Sequence, residues 1–402
     1  MNKSQLFLFA IIIFYVSNIA LPSIHGFLII WKWAVLFLLV FVFYAHTTFR
    51  EKSEYFFPDH LYLAFGSMVV YAITVTYLST EAFTGIYKIL GLTFILILAS
   101  RLSKYFMVAE HNGSFCRSMI TVGMLVVFSS VILYALGINM GRGAGETRFS
   151  GWTDNPNTLG MMLLPIYPIL LLFSFKVKKI SLTSPRVLLV LAIVVVVLTG
   201  SRASLAAIGV STLVIVSFQE GGKIKLVLLG IISLLVVALV GSELREAMEN
   251  MAAFQRSETL VLSGREQVWA LGIMLIGENP YFGYGFDEEV ALISQYSHLL
   301  HDHQGKVFHN SYLSYVVHLG FIGAVPLIWL IAVSLKNLLT LKTNSSSYQE
   351  MNMKLIAGAM VLSSLVHAIF ETWLFSPGNL ATLLFWIALF SLNSQKRIIR
   401  SN

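Results

Sequence analysis

The chain has 402 residues, 57% hydrophobic and only 12% charged, with a net charge of +7. Water-soluble domains carry about a quarter charged residues, so this composition excludes a chain whose surface is mostly wet. The positive balance forms no basic stripe with interleaved aromatics, which excludes a nucleic-acid partner, and the single Cys116 excludes an intramolecular disulfide or a thiolate metal site.

A helix crossing a bilayer needs about 20 consecutive apolar residues, because its backbone groups must be satisfied within the segment. Taken in chain order, twelve stretches meet or approach that requirement: 5–22, 26–45, 61–79, 83–101, 118–137, 157–175, 186–200, 202–218, 223–241, 310–335, 354–371 and 378–394. The expected fold is all-α and polytopic, with about 12 transmembrane helices. The first stretch is preceded by a lone Lys3 and lacks a small-x-small cleavage site, so it reads as a retained anchor rather than a signal peptide. Segments 186–200 and 202–218 are short, and fusing them would invert everything downstream; they are kept as two helices joined by a tight external turn at Gly200-Ser201.

With a cytoplasmic N-terminus, 18 of the 27 Lys and Arg fall inside and 7 outside, while Lys32 and Lys88 lie within spans. The positive-inside rule therefore sets both termini in the cytoplasm. Two external connections stand out. Residues 138–156 are Gly-rich and carry Arg142 and Arg148, and 242–308 is the one stretch long enough for a small folded subdomain. The chain accordingly divides into helices 1–9 over 1–241, a partly helical loop over 242–308, and helices 10–12 over 309–402.

Candidate chemistry collects on the external side. In Leu198-Thr-Gly-Ser-Arg-Ala-Ser204, a glycine ends one span, Ser201 can cap the next, and Arg202 falls in its first turn. A helix start with a guanidinium is a site for phosphate; the same residue also suits an interfacial arginine reaching lipid headgroups. Ser263-Gly-Arg-Glu266 is a capping box, which puts Arg265 in another first turn, either for an anion or paired to a carboxylate. Gly277 and Pro280 close that helix.

The run Asn279-Pro-Tyr-Phe-Gly-Tyr-Gly285 offers tight turns and tyrosines, fit for a sugar-facing surface or an aromatic belt. His309-Asn310 opens the tenth span, where His309 is either a general base or a structural cap. His298, His301, Asp302 and His303 have loose spacing with no HExxH pattern, so the reading there is a solvated polar loop and no metal. Lys32 and Glu371 lie near span ends and Lys88 and His318 look isolated, which disfavours an ion-coupled carrier or lipid-linked sugar flippase.

Taken together, several short motifs resemble the O-antigen ligase and O-antigen polymerase superfamily of bacterial envelope glycosyltransferases. They are Gly151-Trp152 with Asn155-Pro-Asn-Thr-Leu-Gly160, Thr199-Gly-Ser-Arg-Ala203, Ser263-Gly-Arg265 with Trp269, Pro280 with Gly283-Tyr-Gly285, and His309-Asn-Ser-Tyr-Leu313 with Gly320 and Gly323. Each is weak alone; their order and spacing from about Gly151 to Gly323 make the resemblance specific to the superfamily.

The resemblance implies an inverting, metal-independent glycosyltransferase of the bacterial inner membrane with no cofactor and a periplasmic active site. Its donor would be a glycan on undecaprenyl pyrophosphate, and its acceptor lipid A-core or a second lipid-linked glycan. Arg202 and Arg265 would hold the pyrophosphate, and His309 would sit beside the reacting centre. Arg142, Arg148, Tyr284 and Asn310 are further candidates for touching glycan. Twelve spans with one large loop between the ninth and tenth resemble the ligases, and the Arg-x10-Gly element of some polymerases is missing, since Gly277 lies one residue too far from Arg265. A polymerase of lipid-linked repeats is the alternative.

Overall fold

The computed structural model describes residues 3–49, 55–141, 148–177, 181–218, 265–300, 307–341, 345 and 347–396, and these are predominantly helical. Helices run over Lys3–Val16, Pro22–Phe49, Asp59–Tyr77, Ala82–Met107, Ala109–Ala135, Pro156–Leu163, Tyr167–Ser174, Pro185–Leu198, Arg202–Ser217, Glu266–Glu278, Glu289–Gln295, Ser311–Leu339, Tyr348–His367 and Leu380–Asn393. Helix stands at each expected span among the described residues. The ninth, 223–241, lies outside them, as do Arg142, Ser263, Gly264, His301, Asp302 and His303.

Among the described residues, four helices are long and apolar enough to cross a membrane: Asp59–Tyr77, Ala82–Met107, His111–Ala135 and Ser311–Leu339. Pro156–Leu163 and Tyr167–Ser174 make a fifth if counted as one span bent by 43°. Pro165 and Pro168 account for the bend, since neither supplies an N–H to the helix ladder. The chain is a helical membrane protein. Twelve spans are more than these lengths establish, because helices such as Pro185–Leu198 and Leu380–Asn393 are apolar but short.

The chain is organised in two compact units. The first comprises Met1–Val42, Glu110–Ser257 and Ala359–Val366; the second comprises Phe43–Ala109, Glu258–Gly358 and His367–Asn402.

In the first unit, the Pro156–Leu163 and Tyr167–Ser174 pieces pack against Pro185–Leu198 and Arg202–Ser217. Asn155 caps Pro156–Leu163 by accepting from the Asn157 N–H at 2.8 Å. Trp152 ties the preceding loop down: its Nε1 donates to Ser129 Oγ at 3.0 Å and its carbonyl accepts from Ala20 N at 2.9 Å.

In the second unit, Ser311–Leu339 packs against Asp59–Tyr77 and Leu380–Asn393, and the latter lies along Ala82–Met107. Phe65, Trp386 and Phe390 form an aromatic contact there, with Phe65 5.5 and 4.8 Å from the other two rings. A separate apolar core joins Val268, Leu271 and Leu275 of Glu266–Glu278 to Leu292 and Ile293 of Glu289–Gln295, and to Phe308 and Val317. The described part of the long loop is thus folded against the start of Ser311–Leu339.

That helix is interrupted. Gly320 has φ 63° and ψ −174°, well outside helical values. The 280–285 loop occupies the gap. Phe321 N donates to the Pro280 carbonyl at 2.8 Å, while Tyr284 N and Gly285 N donate to the carbonyls of Val317 and His318 at 3.0 and 2.9 Å. The backbone groups freed by the break are therefore satisfied by protein, as an apolar surrounding requires. A Cβ on residue 320 would collide with the Tyr281 carbonyl. Gly320→Ala is expected to destabilise the protein by at least about 1–3 kcal/mol, the cost of a backbone conformation essentially reserved for glycine, read as a lower midpoint of thermal aggregation in detergent. Gly209→Ala, where a Cβ meets nothing within 4 Å, serves as the control.

Candidate functional site

In the first unit, two of the sequence motifs are locked together. Ser201 has an extended backbone and caps Arg202–Ser217, accepting from Ser204 N at 3.3 Å. Gly200, at φ 59°, makes the reversal that lets the cap follow so closely on Pro185–Leu198. Arg148 braces this turn: its Nε donates to the Thr199 carbonyl at 2.8 Å and an NH2 group to Asn157 Oδ1 at 2.6 Å. Phe149 N adds a bond to the Leu198 carbonyl at 3.2 Å. Arg202 is exposed at the helix start, where the dipole and free N–H groups favour an anion. Arg148, a sequence candidate for glycan contact, is engaged here in holding the Arg202 turn.

The second unit builds a cluster around Arg265. Its backbone occupies the N-cap position of Glu266–Glu278. The guanidinium is largely enclosed: one terminal nitrogen donates to the Phe370 carbonyl at 2.6 Å and the other to Glu371 Oε1 at 3.0 Å. The second carboxylate oxygen, Oε2, faces His309 Nδ1 at 3.7 Å. Glu371 thus lies between the two residues that sequence reasoning proposed for charge stabilisation and proton transfer. Burial pushes its carboxyl upward, but the neighbouring His309 and the Arg265 charge outweigh this and hold it below the usual carboxylate range.

His309 is seated with care. It has φ 53°, a left-handed conformation that costs a non-glycine residue about 1–2 kcal/mol. Its neighbours enforce it. Phe308 is fully buried, its N–H donates to Glu289 Oε1, and its carbonyl accepts from Trp269 Nε1 at 2.8 Å. On the other side, Asn310 N donates to Thr372 Oγ1 at 3.0 Å and Ser311 N to the Ala368 carbonyl at 2.9 Å. Ser311 Oγ donates to the Glu371 carbonyl at 2.6 Å. Asn310 itself caps Ser311–Leu339, its Oδ1 accepting from Tyr312 N and Leu313 N at 3.0 and 3.1 Å. That oxygen of a sequence candidate for glycan contact is committed to the helix.

Tyr284 lines a cleft of about 700 Å³ together with Tyr71, Asn279, Glu288, Gln295 and Tyr296. Its hydroxyl donates to Glu278 Oε2 at 2.9 Å. Glu288 accepts from Thr80 Oγ1 at 2.7 Å and from Glu81 N, capping the start of Ala82–Met107 from outside that helix. Lys88, which looked isolated in the sequence, is ion-paired to Asp287. Its partner is 199 residues away, so nothing in the local sequence announces it.

The member of this cluster that the sequence motifs do not single out is Glu371. By sequence it is an ionisable group near a span end; in the structure Tyr348–His367 stops four residues earlier and Glu371 sits in the connection that follows. The available signal was a lone carboxylate in Phe-Glu-Thr-Trp373, an otherwise apolar setting.

Residues 187–328 match the family model described as O-antigen ligase, a segment that contains Arg202, Arg265 and His309. The match covers about a third of the chain and supports its likeness to the O-antigen ligase and polymerase superfamily. No curated protein gives a significant match to the chain.

Glu289 supplies a pH test of how His309 is seated. Burial raises its carboxyl from 4.5 to about 7, against the opposing hydrogen bonds from Phe308 N and Ser314 Oγ. The unfolded chain sheds this proton first as pH rises, so folding stability is expected to fall between about pH 4.5 and pH 7. Glu289→Gln is expected to flatten that part of the profile, measured as thermal midpoint against pH in detergent.

Proposed function

We propose that the chain is a ligase-like glycosyltransferase of the O-antigen ligase and polymerase superfamily, moving a glycan from undecaprenyl pyrophosphate to a sugar hydroxyl of lipid A-core. The observation that carries the reading is the Arg265–Glu371–His309 cluster, in which a half-buried guanidinium and an imidazole meet at one carboxylate. Transfer from a lipid pyrophosphate asks for these two parts: a fixed positive charge where the leaving group gathers negative charge, and a base near the acceptor hydroxyl.

In this reading, the acceptor oxygen attacks the anomeric carbon and the bond to the pyrophosphate breaks on the opposite face, inverting the centre. The acceptor proton passes to His309, and the departing electron pair stays on the pyrophosphate beside Arg265. A guanidinium presents five N–H donors, of which the protein contacts described here use two, so the fork retains donors for phosphate oxygens. No metal is needed in this scheme, because the arginine carries the charge balance. Arg202 receives the same pyrophosphate assignment on its sequence motif and its exposed helix start. Tyr284 in its cleft is the glycan contact best supported by its setting; Arg142, Arg148 and Asn310 are secondary. The active side is assigned to the periplasm and both termini to the cytoplasm of a bacterial inner membrane, on the distribution of Lys and Arg.

Complementation tests the acceptor. Expression in a strain lacking its ligase should restore polymer on lipid A-core in a lipopolysaccharide gel; restoring a ladder of chain lengths in a polymerase-deficient strain instead would reassign the acceptor to a lipid-linked repeat. Within the rescued strain, His309→Ala and Arg202→Ala are each expected to lower transfer about a hundredfold, the usual loss for one such group. Arg265→Lys is the cleaner change at its position. It keeps a positive charge beside Glu371, whereas alanine would leave that carboxylate buried and unpaired. Wild-type transfer in any of these variants would remove that residue from the mechanism.

A further inference from the structure

The carboxylate of Glu371 touches both halves of the proposed chemistry. Oε1 is 3.0 Å from an Arg265 NH2 group, and Oε2 is 3.7 Å from His309 Nδ1. The side chains of Arg265 and Glu371 are 17% and 18% exposed and that of His309 30%, so the three meet in a setting where water screens them only in part. The backbone adds rigidity: the Phe370 carbonyl holds the same guanidinium, and the Glu371 carbonyl accepts from Ser311 Oγ, two residues after His309. One short segment, 370–372, therefore positions the guanidinium, the imidazole and the start of Ser311–Leu339.

We propose that Glu371 is a positioning residue that couples donor binding at Arg265 to base function at His309. The proposal rests on the glycosyltransferase reading above. Before the donor arrives, Arg265 and Glu371 balance one another. A lipid pyrophosphate brings strong acceptor oxygens to the guanidinium and weakens its hold on Oε1. The carboxylate then turns its charge toward His309. Facing Nδ1, it fixes the proton on that nitrogen and leaves Nε2 as the atom that accepts the acceptor proton. As the glycosidic bond forms and the sugar–phosphate bond breaks, His309 becomes an imidazolium whose charge Glu371 offsets. The negative charge on the released pyrophosphate stays with Arg265. Protons and electron pairs balance without any further reactant. The arrangement makes the base effective when the donor is in place and keeps it weaker when the donor is absent.

The pH dependence of this device involves a defined set of groups. Glu371 faces Arg265 and His309 and feels the buried His367, while the charge of His309 is also felt by Glu289. His367 accepts from Trp373 Nε1 on its Nδ1 at 2.9 Å.

The test is steady-state transfer in detergent with a lipid-linked glycan donor and lipid A-core acceptor, measured against pH for wild type, Glu371→Gln and Glu371→Asp. Binding of undecaprenyl pyrophosphate without acceptor is measured in parallel by tryptophan fluorescence. For Glu371→Gln, kcat is expected to fall at least tenfold and the acid limb of the pH profile to move about one unit lower. Undecaprenyl pyrophosphate should bind as well as to wild type or better, since its competitor for Arg265 is gone. Glu371→Asp keeps the charge on a shorter arm and should hold the wild-type acid limb with a reduced kcat. This variant also carries the test if the glutamine form fails to fold. A Gln variant with wild-type kcat and acid limb would overturn the proposal, as would an Asp variant whose acid limb moves as far as glutamine's. Wild-type protein that neither transfers glycan nor binds undecaprenyl pyrophosphate would instead overturn the underlying reading.

Discussion

Backbone N–H and C=O groups that leave a helix in an apolar layer have no water to turn to, and the second unit is arranged around that constraint. Ser311–Leu339 is broken at Gly320, and the Pro280–Gly285 loop enters the break to supply the missing donors and acceptors. Placing that loop also places what is attached to it. Upstream lies Glu266–Glu278 with Arg265 at its start; downstream lies Glu289–Gln295, whose first residue takes the Phe308 N–H. The need to satisfy a handful of peptide groups thus sets where an arginine and a histidine end up.

The strain at His309 belongs to the same scheme. A left-handed histidine is unfavourable by itself and persists because both flanking peptides are held by groups from elsewhere in the unit. Glu289 and Trp269 secure one side, and Ala368 and Thr372 the other. Conformational freedom is removed from the proposed base before any substrate is bound, so orienting it adds no cost at the moment of reaction.

What the sequence disclosed was local, and what it hid was long-range. The break between Pro185–Leu198 and Arg202–Ser217 was readable because Gly200 and Ser201 carry their turn and cap in their own chemistry. Asn155 and Asn310 declare helix starts in the same way. Asn310 was less legible in function, because a carboxamide beside a histidine suggests ligand contact as readily as a cap. Lys88 and Glu371 carry no local sign of their pairing for one reason: their partners lie 199 and 106 residues away, and charge pairing at that separation leaves no periodicity to read. The gap at Gly320 was equally hidden, since the apolar run continues unbroken through it while the conformation does not.

The dependence of His309 on residues 368–372 bears on how the protein can be divided. The segment that matches the ligase family, 187–328, contains both helix-start arginines and the histidine, and on a map of motifs it resembles a transferable module. Physically it is not self-contained. Its histidine rests on Thr372 and Ala368, its arginine on Phe370 and Glu371, and all four lie more than 35 residues past the end of that segment. Grafted alone into another scaffold, the segment would carry Arg202, Arg265 and His309 and lack the floor on which two of them stand. The unit that evolution can exchange intact is therefore larger than the unit that sequence similarity marks out.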